Sequence, residues 1–290
     1  MFYTGFADEA ATKLEGQIKA VKQLGWHDIE LRTIEGKMVH DLSLKQLETV
    51  KEEMDQNSIT CCSLGTSIAN WGKSITEPFE ETKTLVLRSI NTMKLLNIKY
   101  ARIMSYNVIK DSSGRVSEDQ MEGERIKRLK WICDSFEDNG MMALHENCFN
   151  FGGLSWKNTL KLIKAVPNLG LIFDTGNAPM TIDISTPFPY GYQNSLDFYN
   201  NVKPFIKHVH IKDGYRKENG TEVYTFPGEG GGQVKEILSL LKSSGYDGGL
   251  SIEPHMEVVF HDSSVKANEN DMRDNFIEYG KRLEEMYNSL

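Results

Sequence analysis

The feature that most constrains this chain is a strict alternation of short β-rich runs and longer amphipathic segments along its whole length. The β-rich runs fall at 2–6, 28–32, 59–64, 100–105, 142–146, 170–174, 206–212 and 249–253, so their starts recur every 26–43 residues. That is the length of a strand, a loop, a helix and a return loop. Between the runs, apolar residues recur at helical spacing: Ile18, Val21 and Leu24 before the stop signal Gly25, then Leu44, Leu47, Val50 and Met54. Segments 79–96, 117–138, 155–165, 231–243 and 269–287 read the same way. Repeated β-then-α order implies a parallel sheet, and eight units is the number that closes it. The expected fold is therefore an α/β (β/α)8 TIM barrel, one domain over 1–290, with no linker or composition shift to divide it. The last helix, through Phe276, Tyr279, Leu283 and Met286, is expected to seal the barrel wall. Residues 177–192 lack periodicity and follow the sixth strand, on the side where barrel active sites lie.

Composition narrows the partners. With 33 basic and 41 acidic residues, the net charge of -8 opposes a phosphate backbone, so nucleic acid is not expected as the main substrate. The four cysteines form no CxxC pair or disulfide framework, there is no basic flank before an apolar run at the start, and no apolar stretch is long enough to span a bilayer. A cytoplasmic protein with no membrane role is expected.

In a parallel barrel the C-terminal strand ends surround the pocket. The last four candidate strands end at or near Glu146, Asp174, His210 and Glu253. Alone, each has an ordinary reading: a salt-bridge partner, a turn residue, a satisfied core histidine, a cap. Their convergence at equivalent ends of consecutive strands favours a metal centre. Three carboxylates and an imidazole suit one divalent ion, Mn2+ first, with Co2+, Mg2+ or Zn2+ as alternatives. His208 lies on the same face one layer deeper and is assigned to substrate or to supporting hydrogen bonds. His145 points to the other side of its strand unless the strand end twists; turned inward, it is a candidate base. Glu30 and Arg32 share a face of strand two and are read as an inward ion pair or as contacts to sugar hydroxyls. Lys212 shares the face of His210 and could reach a carboxylate. The run from Gly228 to Gly232 suggests an anion cradle or a plain flexible loop.

These motifs together resemble the xylose-isomerase-like TIM-barrel superfamily of sugar isomerases, epimerases and endonuclease IV enzymes. The resemblance rests on GFADEA, IELR, RIMSY, LHEN, FDTGN, HVHIKD and PGEGGGQVKEIL…GYDGGLSIEPH, and covers essentially the whole chain. It implies a single metal site of Glu146, Asp174, His210 and Glu253. Two loops depart from the usual pattern: residues 66–71 replace a Ser-Pro-Ile-Gly-Lys run, and 148–154 replace a charged run after the HEN motif. The departures introduce Trp71, Phe149 and Phe151, which either pack or form a pocket for an aromatic ring.

Aromatic loops on such a barrel also resemble the catalytic subunit of bacterial C-glycoside deglycosidases, which act on 3-oxo-C-glycosides with a small β-sandwich partner subunit. That resemblance implies a lyase in which His145, in the His145-Glu146 pair, removes a proton beside the carbonyl. An enediolate stabilised by the metal then expels the group on C1. His208, Arg102, Trp71, Phe149 and Asn177 are the expected substrate contacts, and an oligomer acting on a small-molecule sugar or glycoside is expected. The alternative is a ketose isomerase or epimerase sharing the enediolate, with Glu146 and Glu253, where the metal does not occupy them, as the catalytic acid/base pair. Phosphodiester cleavage is disfavoured by the charge and by the few histidines in the first half; a non-catalytic barrel would leave the metal constellation unexplained.

Overall fold

The computed structural model describes residues 1–256 and 268–290. Eight parallel strands line the centre: β1 (Phe2–Gly5), β2 (Asp28–Leu31), β3 (Thr60–Gly65), β4 (Tyr100–Ile103), β5 (Met142–Glu146), β6 (Gly170–Asp174), β7 (Ile206–Ile211) and β8 (Gly249–Ile252). Each strand pairs with its neighbour in chain order, and β8 pairs with β1, Phe2 opposite Gly249 and Gly5 opposite Ile252. A parallel bridge from Phe6 to Glu30 ties β1 to β2, so the barrel closes. No helix among the described residues is long and apolar enough to cross a membrane.

Among the described residues, eight α-helices surround the strands: α1 (Leu14–Gln23), α2 (Leu44–Asn57), α3 (Phe79–Leu96), α4 (Glu122–Glu137), α5 (Trp156–Ala165), α6 (Ser195–Val202), α7 (Val234–Ser243) and α8 (Glu269–Asn288). Their starts follow from local chemistry. Ser43 and Gln46 form a reciprocal capping box at α2, and Ser155, Asn194 and Asn268 accept from first-turn amides at α5, α6 and α8. Each helix buries one stripe on the barrel; α7 does so with Val234, Ile237, Leu238 and Leu241. At roughly 1.5–3 kcal/mol per fully buried aliphatic side chain, this stripe holds the helix far better than intrinsic propensity does. Phe276, Tyr279 and Leu283 of α8 are fully buried and Met286 packs partly against the core, sealing the wall as the sequence predicts.

Two elements escape the sequence pattern. α6 is only eight residues long and follows the aperiodic stretch, so its apolar face is too short to stand out. A two-stranded ribbon, Asp213–Arg216 with Glu222–Thr225, follows β7 and reaches the barrel mouth. Cys61, Cys62, Cys133 and Cys148 are all free thiols.

Candidate metal centre and its cavity

Strand register places two of the four expected ligands, Asp174 and His210, side by side. His210 on β7 lies opposite Asp174 on β6 and Ser251 on β8, and Glu253 follows Ser251 by two residues on the same face. Potential ligand atoms of Glu146, Asp174, His210 and Glu253 all lie within 4.8 Å of one another, and all four residues are buried. Asp174 is also the turn residue its Thr-Gly context suggests. Its Oδ1 accepts from the backbone N–H groups of Gly176 (2.8 Å) and Asn177 (2.7 Å), leaving Oδ2 turned elsewhere. Asn147 braces the same strand end, donating to the Asp174 carbonyl and accepting from its N–H.

Each carboxylate faces a cation. Arg102 Nη1 lies 3.4 Å from Glu146 Oε2, and Lys212 Nζ lies 3.0 Å from both Asp174 Oδ2 and Glu253 Oε2. Arg32 Nη1 donates to Glu253 Oε1 at 2.9 Å while its other nitrogens hold Asp8 and Glu9. Arg32 and Glu30 are thus both inward, but they do not pair with each other; Glu30 lies deeper, against the histidines.

The charges shape the proton affinities. Burial pushes Asp174 up to about 6, because the opposing Lys212 charge only partly offsets desolvation and the neighbouring carboxylates. Burial also acts on Glu253, but there Lys212, His255 and Arg32 outweigh it and hold the carboxyl well below its usual range. Arg102 and His210 likewise lower Glu146 against its desolvation. Desolvation would lower His210, yet the Glu30 and Glu146 carboxylates raise it to about 10.

A divalent cation fits this set. Glu146 Oε2 and Asp174 Oδ2 are buried acceptors that no hydrogen bond satisfies among the described residues, although cations stand nearby. Buried acceptors without donors are costly, and these two share a level with an imidazole nitrogen and a third carboxylate. Hard oxygens plus one imidazole are the donors that Mn2+, Co2+, Mg2+ and Zn2+ accept. A second group, Glu9, Glu253 and His255, is spanned by the Arg32 guanidinium and is an ion-pair cluster.

Above the ligands opens a cavity of about 260 Å3. Glu146, Glu253, Lys212 and Arg102 form its polar floor, and Trp71 and Phe149 its aromatic edge, 40% and 37% exposed. Asn177 lines it and donates to Glu146 Oε1 at 3.2 Å. Of the expected substrate contacts, Arg102, Trp71, Phe149 and Asn177 therefore reach the cavity. His208 does not: its Nε2 donates to Glu30 Oε2 at 3.0 Å, one layer below. Nor does Phe151, which is buried against the Arg125 guanidinium.

His145 is the main correction. Strand alternation wins over any terminal twist, and the ring faces outward, where its Nε2 lies 3.0 Å from Asn150 Oδ1 and 3.1 Å from Ser105 Oγ. An amide oxygen can only accept, so Nε2–H is the donor to Asn150. A Cβ on Gly152 would stand 2.5 Å from the ring, so glycine there makes room for it. Burial lowers His145 to about 4, with Asn150 and Glu146 opposing only in part. In this position it touches no cavity atom and is not placed to take a substrate proton.

The glycine loop is the other correction. Asp213 fills it: its carboxylate accepts from the N–H groups of Gly214, Gly228, Gly230 and Gly232 at 2.8–3.1 Å. A Cβ at Gly230 or Gly232 would meet Asp213 Oδ1 at 2.4 or 2.8 Å. The cradle binds an anion, but the anion is the protein's own.

Sequence reasoning missed Tyr224 and Glu222, which the ribbon after β7 brings into the cavity wall, and His255 beside Glu253. Tyr224 donates to Glu222 Oε2 at 2.8 Å, and Glu222 pairs with Arg216. Only the position of His255 directly after the Glu-Pro pair gave any sign of this.

Comparison with known proteins identifies the family and the fold. The family model described as "Xylose isomerase-like TIM barrel" matches residues 18–276. Inosose dehydratase of Lacticaseibacillus casei is 21% identical over 208 residues, 63% of this chain and 66% of that protein. The chain spans 41% to 66% of the lengths of the curated relatives it matches. Among solved structures, the IOLI protein with a bound zinc atom superposes with a TM-score of 0.75 at 16% identity, covering 100% of this chain and 99% of that one. D-psicose 3-epimerase, solved in the presence of D-fructose, gives 0.69 at 18% identity and 99% coverage of both chains. At these identities the structural likeness speaks for the fold, while the family match spans most of the sequence. The chain belongs to the xylose isomerase-like TIM barrel family.

Proposed function

We propose that this protein is a divalent-metal-dependent lyase acting on a keto sugar, with a 3-oxo-C-glycoside as the substrate class and elimination of the aglycone as the outcome. The observation that carries the reading is the two-part cavity: a charged floor of carboxylates and cations beneath an edge of Trp71 and Phe149. A sugar suits the floor and an aryl group suits the edge. Glu146, Asp174, His210 and Glu253 would hold the metal, which supplies Lewis-acid polarisation of substrate oxygens. Inosose dehydratase, the relative above, is named for an elimination.

The chain's own groups complete the chemistry. With His145 turned outward, Glu146 is the proton acceptor we assign, as a carboxylate that lines the cavity. Glu146 takes the C2 proton as the C2–H electrons form the enolate with C3. These electrons then form the C1=C2 bond and restore the C3 carbonyl as the C1 bond to the leaving group breaks, and that group takes the proton back from Glu146. Lys212 and Arg102 offset the developing charge on the substrate oxygens. The small β-sandwich partner implied by the resemblance would sit over the aromatic edge.

A second reading, epimerisation of a ketose, draws on the presence of two carboxylates, Glu146 and Glu253, in one cavity, since proton removal and return need two groups. A metal-supplemented assay on a 3-oxo aryl C-glucoside, followed by chromatography and run with and without a co-encoded small partner, separates the two. Released aglycone, abolished by chelation and by Glu146→Gln, is the expected result. Exchange of a ketose C2 or C3 proton with solvent, with no aglycone released, would replace the lyase by the epimerase.

A further inference from the structure

Beneath the ligand level, Glu30 on β2 is fully buried and is surrounded by donors. Ser251 Oγ donates to its Oε2 at 2.7 Å and His208 Nε2 at 3.0 Å, while His210 Nε2 lies 3.2 and 3.3 Å from its two oxygens. An ionised carboxylate only accepts, so Nε2 of His210 carries a proton. The other nitrogen, Nδ1, points the opposite way, 3.4 Å from Glu146 Oε1 and 4.0 Å from Glu253 Oε2. The imidazole therefore stands between two carboxylates with different tasks: one below that fixes it, and two above that share the ligand set.

We propose that Glu30 is the positioning residue of the metal centre: it locks the His210 ring with Nε2 protonated and so presents Nδ1 as the ligating atom. The inference rests on the metal-centre reading and adds a residue 180 positions away in sequence from the histidine it serves. A carboxylate behind a ligating histidine fixes the ring and raises its basicity, and loss of such a partner costs about 10–100-fold in metal affinity. His208 and Ser251 hold Glu30 in turn, and neither touches the ligand nitrogen.

The test is titration of the metal-free full chain with Co2+ against a competing chelator, read together with the Co2+ visible absorption spectrum. Glu30→Gln keeps the shape and removes the charge; it is expected to weaken Co2+ binding about 10–100-fold and to change the spectrum. Ser251→Ala removes one support of Glu30 but leaves the bond to His210, and is expected to bind Co2+ within about threefold of the parent. Unchanged affinity and spectrum in folded Glu30→Gln would overturn the proposal, as would equal losses in the two variants, which would make Glu30 a packing residue only. If Glu30→Gln does not fold, Glu30→Asp keeps the charge on a shorter arm and is expected to show the same loss; parent-like binding there overturns the proposal. A parent chain that binds no Co2+ would overturn the metal-centre reading itself, and Glu30's role with it.

Discussion

Asp174 and Asp213 are two buried aspartates at neighbouring strand ends, and the protein treats them in opposite ways. Asp213 receives four backbone N–H groups, which use both of its oxygens. Asp174 receives two on Oδ1, and its Oδ2 is left facing Lys212 without a hydrogen bond. Burial raises the proton affinity of both, and the amides around Asp213 offset that only in part. The first arrangement is complete in itself and organises a loop. The second ends in an ion pair with Lys212 and keeps an oxygen that no hydrogen bond satisfies, the arrangement the proposed metal centre would use.

The largest effect expected from this contrast is on metal binding. Asp174→Asn keeps an oxygen for the Gly176 and Asn177 amides but loses the ligand charge, so metal affinity should fall by more than 100-fold, beyond the usual cost of an outer partner. Calorimetric titration would measure it, and retained affinity would remove Asp174 from the ligand set. Asp213→Ala should do the reverse. It strands amides that include the buried Gly214 and Gly232, at about 1–3 kcal/mol for each unsatisfied buried group. Urea unfolding of the metal-free chain should show a loss of about 3 kcal/mol, with metal affinity in the folded fraction unchanged.

A graded effect, smaller for each pH unit, is expected from pH. His210, held protonated up to about 10, must release a proton before Nδ1 can ligate, and Asp174 must release another below about 6. Both shifts are upward, so protons compete with the metal and affinity falls as pH falls. Between pH 6 and 9 the binding constant should drop roughly tenfold per unit, and below 6 more steeply. A pH-independent constant would mean that His210 is not a ligand. The smallest effect should come from Phe149→Ala at the cavity edge. Stability and metal affinity should stay within about 0.5 kcal/mol of the parent, while an aryl glycoside binds more weakly and a bare ketose does not.

Much of this was readable from the chain because strand order and alternation are strong physical signals. The eight strands fell where β-rich runs gave way to helical spacing, and the same alternation put Glu146, Asp174, His210 and Glu253 on the pocket side. The alternation also argued that His145 faces outward, and the structure follows it, against the motif that made this residue attractive as a base. What was not readable depends on contacts distant in sequence. Glu30 meets His210 only because the barrel closes, and its pairing with Arg32 looked equally natural until Asp8, Glu9 and Glu253 claimed the guanidinium. The glycine loop could be read as an anion cradle or as a plain flexible loop, and nothing in its spacing said that Asp213 would fill it. The ribbon carrying Tyr224 and Glu222 has strands of only four residues each, below the length at which periodicity speaks.

Lys212 has a consequence for the charge balance of the barrel mouth. With its ammonium 3.0 Å from both Asp174 and Glu253, the chain carries its own stand-in for part of the charge a metal would bring. Burial lowers the proton affinity of Lys212, but Asp174, Glu253 and Glu146 outweigh it, so that charge is permanent. The barrel can then balance these carboxylates without an ion, and a metal entering the proposed centre would have to take Asp174 and Glu253 away from this ammonium.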